Sequence, residues 1–110
     1  MSKYDKIMKK VDKFYQNPRH EELYNLDCSI IEFLLPRLRL FIKDSSSVVD
    51  WDAHKEEGID VIKSIESIIA DFEFILDNKW SYDKDLAKEY IKRVKRSFKN
   101  LGIIYPYLWW

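Results

Sequence analysis

Apolar positions recur at helical spacing along most of the chain and divide it into four segments. In the first, Tyr4, Ile7, Met8, Val11, Phe14 and Tyr15 fall three or four residues apart, which places them on one side of a helix over residues 2–16. Ser2 and Asp5 make a capping pair at its start, with Asp standing where Glu is usual. Asn17-Pro18 ends it, because the residue before a proline avoids helical backbone.

The second segment begins at Asn25 or Asp27 and ends at Lys43. Leu26, Ile30, Ile31, Phe33, Leu34, Leu35, Leu38, Leu40, Phe41 and Ile42 cover more than half its circumference, a pattern that predicts a central helix. Pro36 lies inside it and crowds the carbonyl of Glu32, so a kink is expected rather than a break. Ser45-Ser46-Ser47 is the clearest loop, followed by Val48, Val49 and Trp51 packing as the approach to the next helix.

The third helix is predicted over residues 53–78, with Asp50 or Asp52 as its cap. Gly58, Val61, Ile62, Ile65, Ile68, Ile69, Phe72, Ile75 and Leu76 make its core stripe. Glu56, Asp60, Ser67 and Asp71 take the other side, and Phe74 and Ile59 lie off the stripe.

The fourth helix is predicted over residues 82–101. Its stripe is Ala87, Tyr90, Ile91, Val94, Phe98 and Leu101, with Lys88, Lys92, Lys95, Arg96 and Lys99 as a basic stripe opposite. Gly102 is placed to stop it. The tail from Ile103 to Trp110 is too apolar to stand in water, so it is expected to fold back. The expected fold is all-α, a single domain over residues 1–110. It is a small antiparallel four-helix bundle with a proline-kinked central helix and a docked aromatic C-terminal tail.

Composition narrows the class further. At 110 residues, with 46% hydrophobic and 35% charged positions, the chain can build one core without metals or staples. Cys28 is the single cysteine, so no internal disulfide forms, which fits a reducing compartment. Residues 1–13 alternate Lys with apolar positions, so no secretory signal is expected, and no apolar run reaches the ~18 residues of a membrane span. A cytoplasmic protein without membrane contact is expected.

The net charge is zero but segregated. Residues 1–43 carry nine bases and six acids, residues 44–77 two bases and ten acids, and residues 78–110 eight bases and three acids. Antiparallel packing would let these segments attract one another. The alternative is an acidic face and a basic face, each open to a partner.

The stretch holding Leu26-Asp27, Phe33, Leu35-Pro36-Arg37-Leu38 and Phe41 resembles a pattern in a family of small helical phage and prophage proteins. Phe72-Glu73, Phe98 and the near-terminal Leu108-Trp109 are similar to later features of that family. The resemblance spans residues 26–110, and the first helix lies outside it. It implies a phage or prophage origin and a bacterial host cell, and it brings no activity, substrate or cofactor.

Arg37 stands out chemically. On a helical wheel it lies about 60° from Leu34, inside the apolar sector. Asp27 shares that sector but lies ten residues away, about 15 Å along a helix, so the two cannot pair. A buried Arg37 would need a carboxylate from the third helix: Glu66, Glu73 or Asp77. The preferred reading is a structural Arg–Glu pair that fixes register; the alternative is a pocket gripping an anion. Asp27 itself is expected to be an N-cap.

Two faces could bind partners. Asp52, Glu56, Asp60, Asp71 and Asp77, with Phe74 or Ile59 as apolar anchors, could imitate nucleic acid toward a basic groove on a host protein. Lys88, Lys92, Lys95, Arg96 and Lys99 could follow a phosphate backbone, although no recognised nucleic-acid motif is present.

No metal or cofactor is expected. His20-Glu21-Glu22 are adjacent rather than on one face, His54 and Glu57 stand alone, and Cys28 lacks partners at ligand spacing. Neither a nucleophile motif nor a Gly-rich phosphate loop occurs, so no enzyme is expected. The sequence points to a non-enzymatic phage accessory protein that binds a host protein, such as a defence nuclease it inhibits; the alternative is a helical nucleic-acid-binding module using the last helix. Trp51, Trp80, Trp109 and Trp110 are many aromatics for one small core and also allow a homodimer.

Overall fold

The structure, a computed structural model, describes residues 2–15, 23–51, 58–79 and 81–109, with backbone alone for 10–15. Among the described residues four helices follow one another: α1 (Lys3–Tyr15), α2 (Leu26–Ser45), α3 (Val61–Asn78) and α4 (Lys84–Ile104). A 3-10 turn, Tyr105–Tyr107, ends the order. No strand occurs among the described residues, and the chain is an all-α helical bundle, as the four apolar stripes predict.

The caps explain most boundaries. The Ser2–Asp5 pair forms as expected: the Asp5 amide donates to Ser2 Oγ at 3.1 Å and the Ser2 amide donates to Asp5 Oδ2 at 3.3 Å. For α3 the expected start at residue 53 is a correction. Gly58 takes a φ of 79°, and Asp60 is extended and caps the helix by accepting from the Lys63 amide at 3.0 Å. A helix running through 58–60 is therefore interrupted. Asp83 caps α4 the same way, accepting from the Asp85 and Leu86 amides at 2.8 and 3.1 Å.

Two other expectations about helix ends are overturned. Ser45 belongs to α2 and is fully buried, its hydroxyl taking the Trp51 indole N–H at 3.1 Å. Gly102 does not stop α4, which continues helical to Ile104 because Ile104 is itself drawn into the core. Pro36 is accommodated inside a continuous α2. Its side chain faces solvent.

The core runs along α3. Val61, Ile65, Ile68, Phe72 and Ile75 are buried on one side of it, at the spacing the sequence predicts. Ile31, Leu35 and Leu38 of α2 meet this stripe from one flank, and Ile104 of α4 and Trp51 complete it. Each fully buried side chain of this size contributes roughly 1.5–3 kcal/mol. The central helix is thus α3 rather than α2. Only one side of α2 is covered; Leu26, Ile30, Phe33 and Leu40 remain exposed on the other. On α1, Tyr4, Ile7 and Met8 are exposed.

The aromatic tail docks in part. Tyr107 and Leu108 pack against the core, while Tyr105 and Trp109 face solvent. Trp51 is buried with its ring 5.8 Å from that of Phe41. Trp80 and Trp110 lie outside the described residues.

Asn25, at a left-handed φ of 61°, precedes α2, so Asp27 sits in the first turn and is not the cap. Its carboxylate instead accepts from Lys79 Nζ at 2.8 Å, tying the start of α2 to the end of α3. That ammonium also reaches Asn25 Oδ1 at 3.3 Å and Cys28 Sγ at 3.4 Å. The hydrogen bond from Lys79 holds the Asp27 carboxyl below its ordinary value, and the Lys79 ammonium is pushed up in turn, chiefly by Asp27. A carboxyl lowered on folding adds stability above its unfolded pKa and loses that contribution as pH falls through the folded value. Asp27→Asn should therefore unfold at lower urea than the parent at neutral pH. The gap should close in acid, below the ordinary carboxylate range. A gap of equal size at both pH values would show that the charge is not the cause.

Candidate functional site

The four helices sort the charged side chains into three groups: those spent inside the bundle, those spent on its surface, and those left over. Asp71 heads the first group. It stands one residue before Phe72, about 100° round α3, and so falls on the flank that meets α4. Its side chain is 1% exposed. Arg96 donates to both oxygens, Nε to Oδ2 at 3.0 Å and Nη2 to Oδ1 at 2.6 Å, and Arg93 Nη1 reaches Oδ1 at 3.4 Å. The fork geometry of Arg96 is a bidentate clamp, and Asp71 raises the pKa of the Arg96 guanidinium.

Arg93 has further work. Its Nε donates to Glu89 one turn back at 3.0 Å, and its guanidinium lies 4.4 Å from the centre of the Phe74 ring. This cluster removes Asp71 and Phe74 from the expected partner surface: Asp71 is buried, and Phe74 is half-buried beneath an arginine. It also removes Arg96 from the basic stripe. Arg93, which the sequence reading passed over, left a legible signal: Glu89, Arg93 and Arg96 share one side of α4 at helical spacing.

The rest of the acidic face is dispersed as well. Asp60 caps α3, and Ile59 packs against the core. Asp77 is exposed, while Asp52 and Glu56 lie outside the described residues.

Arg37 is exposed, so the expected buried pair does not form. Nη1 donates to the Phe33 carbonyl at 2.9 Å, and the guanidinium stacks 3.8 Å from the Phe33 ring centre. The reason is geometric. Arg37 lies about 200° round the helix from Leu35, on the exposed side of α2 that carries Leu26, Ile30, Phe33 and Leu40. The carboxylate expected for it, Glu73, pairs with Arg39 on the surface. Glu66 is exposed and makes no ion pair among the described residues.

Among the charges left over, one set is aligned on α4. Lys84, Lys88, Lys92, Lys95 and Lys99 fall within about 80° of arc over about 22 Å of helix. All five are exposed, and none lies in an ion pair among the described residues. The Asp71 clamp sets where the row lies. With Arg93 and Arg96 turned to α3, the middle of the lysine arc lies about 110° round the helix from them. Along the edge of this row stand Ile91, Phe98 and Tyr105, seven residues apart and at least partly exposed. Beyond Phe98 a cleft of about 120 Å³ opens between helices, lined by Ile30, Ile31, Ile75, Tyr90 and Val94 among others. Its walls are apolar, and no three metal-ligating side chains converge anywhere among the described residues. An unpaired basic row of this kind can hold a polyanion by charge alone.

No helix among the described residues is long and apolar enough to cross a membrane. Comparison with protein-family models, with curated proteins and with solved structures finds no match to this chain.

The clamp has an asymmetric signature. Arg96→Met should cost about 3 kcal/mol in urea unfolding, because it strands a buried carboxylate. Asp71→Leu should cost less, since both guanidiniums can turn to water. The double variant should recover most of the Arg96→Met loss. Additive losses would show that Asp71 and Arg96 do not act as a pair.

Proposed function

We propose that the protein is a non-enzymatic module that binds the phosphate backbone of a nucleic acid along α4. The carrying observation is the row of five exposed lysines, unpaired among the described residues, on one side of a helix whose arginines are already committed to Asp71. Charge segregation in the sequence left two readings, internal attraction or open faces. Among the described residues, ion pairs across the helices join Asp71 to Arg96 and Arg93, Asp27 to Lys79 and Glu73 to Arg39. They leave the lysine row unspent. At an axial rise of about 3.4 Å per phosphate along one strand, 22 Å of helix matches roughly six phosphates.

A second reading has its own support. Leu26, Ile30, Phe33 and Leu40 form an exposed apolar row on α2, with Arg37 lying on the Phe33 ring, and such anchors suit a protein partner. The resemblance to phage proteins makes a host protein the natural target, with inhibition of a defence nuclease as one outcome. This reading requires a nuclease-resistant partner that is lost with Phe33→Ser and Leu40→Ser.

The first reading is tested by anisotropy with labelled nucleic acid in about 50 mM salt, titrated upward. Contacts to about five phosphates give a log–log salt slope near −3.5 on a single strand or near −4.5 on a duplex. Lys88→Glu, Lys92→Glu and Lys95→Glu together should abolish binding and leave the circular dichroism unchanged, because all three side chains are exposed. Absence of binding at low salt would sink the reading.

A further inference from the structure

We propose that the ligand of the α4 surface is single-stranded rather than duplex nucleic acid, with bases stacking on Tyr105 and Trp109 while the lysines hold the phosphates. The inference rests on the phosphate-backbone reading above and adds what the ligand's bases do.

Three observations point there. First, Tyr105 and Trp109 are 72% and 61% exposed, although neighbours in the same tail, Ile104, Tyr107 and Leu108, are drawn onto the core. The tail could therefore have turned more of its aromatic surface inward, and it leaves these two rings in water. The turn that presents them is fixed: the Leu108 amide donates to the Tyr105 carbonyl at 3.1 Å.

Second, Tyr105 stands just beyond the last lysine of the row, and Trp109 follows it by four residues. Tyr105 continues the helical backbone of α4, with φ −49° and ψ −44°, so it extends the edge that runs through Ile91 and Phe98. It follows Lys99 by six residues, about 9 Å along the axis. A cationic track with aromatic faces beside it is how single strands are held without sequence preference. Every base has a face to stack, and only an unpaired strand offers it.

Third, Gly102 lies between them without an internal reason. It sits within α4 on helical backbone, and a Cβ added there would meet nothing within 4 Å. Glycine within a helix costs stability, and here it makes no room for any described side chain or neighbouring element. It leaves bare backbone between Lys95, Phe98, Lys99 and Tyr105, each three, four or seven residues away and so on the same side. Bare backbone at such a place lets a ligand come close.

The experiment compares labelled dT20, rU20, a 20-base-pair duplex and inorganic polyphosphate by anisotropy at one salt concentration. It uses the full chain and the variants Tyr105→Ala with Trp109→Ala, Tyr105→Phe with Trp109→Phe, and Gly102→Ala. The parent should bind both single strands at least ten-fold more tightly than duplex or polyphosphate. The alanine pair should weaken dT20 binding ten-fold or more and leave polyphosphate within two-fold, and the phenylalanine pair should restore it. Gly102→Ala should raise the melting temperature yet weaken dT20 several-fold. A melting curve for each variant separates loss of binding from loss of fold. Duplex preference, equal loss on polyphosphate, or tighter binding to anionic-lipid vesicles than to dT20 would overturn the inference. If polyphosphate and duplex bind and the aromatic variants change nothing, this inference fails while the backbone reading stands. If no polyanion binds, both fall.

Discussion

A carboxylate placed in a dry helix interface must be met by cations, and Asp71 is met by Arg96 through a two-oxygen clamp with Arg93 beside it. Hydrophobic burial holds α3 against its neighbours, but a stripe of isoleucines tolerates small rotations and slides. A bidentate pair tolerates neither, because its two hydrogen bonds fix distance and angle together. The clamp therefore sets the rotation of α4. Once Arg93 and Arg96 face α3, the middle of the lysine arc lies about 110° round the helix from them, and all five lysines are exposed. The working surface proposed for the protein follows from one buried acid.

The same constraint explains the division of labour among the ion pairs. Asp71 is enclosed, so its partners cannot be exchanged for solvent without loss. Arg39 and Glu73 are each about half exposed, and a pair of that kind adds little to stability. Lys79 lies between these cases. Its ammonium has several acceptors at the junction of α2 and α3, and it works as a tie between two helix ends.

Exposed apolar surface has two separate origins. On α2 it arises because an almost wholly apolar helix has only one side covered by α3. On α4 and the tail it arises at the shoulder of the core, where Ile91, Phe98 and Tyr105 lead from the buried face to the lysine row. The first suits a protein surface and the second an unpaired nucleic-acid strand. The two proposals rest on different side chains, although the surfaces adjoin at the cleft lined by Ile30 and Phe98.

The four described helices and the α3 core stripe from Val61 to Leu76 were legible in the sequence, because a 3.6-residue period in apolar positions is a local property; Gly58, expected in that stripe, lies outside the helix and is exposed. So were the Ser2–Asp5 cap and the exposure of Lys88, Lys92, Lys95 and Lys99, while Arg96 of the expected basic stripe turns to Asp71. Three things were not. Arg37 and Asp71 both lie near apolar sectors, and a wheel shows which residues share a side but not which side another helix covers. Packing buried Asp71 and left Arg37 outside. Gly102 carries a stop signal in the chain, yet the pull of Ile104 into the core carried the helix past it. Which helix is central was also decided in space. α2 is the more apolar around its circumference, but α3 is the one with a neighbour on each flank. Periodicity assigns each helix its faces, and only tertiary packing decides which faces are spent and which remain to bind.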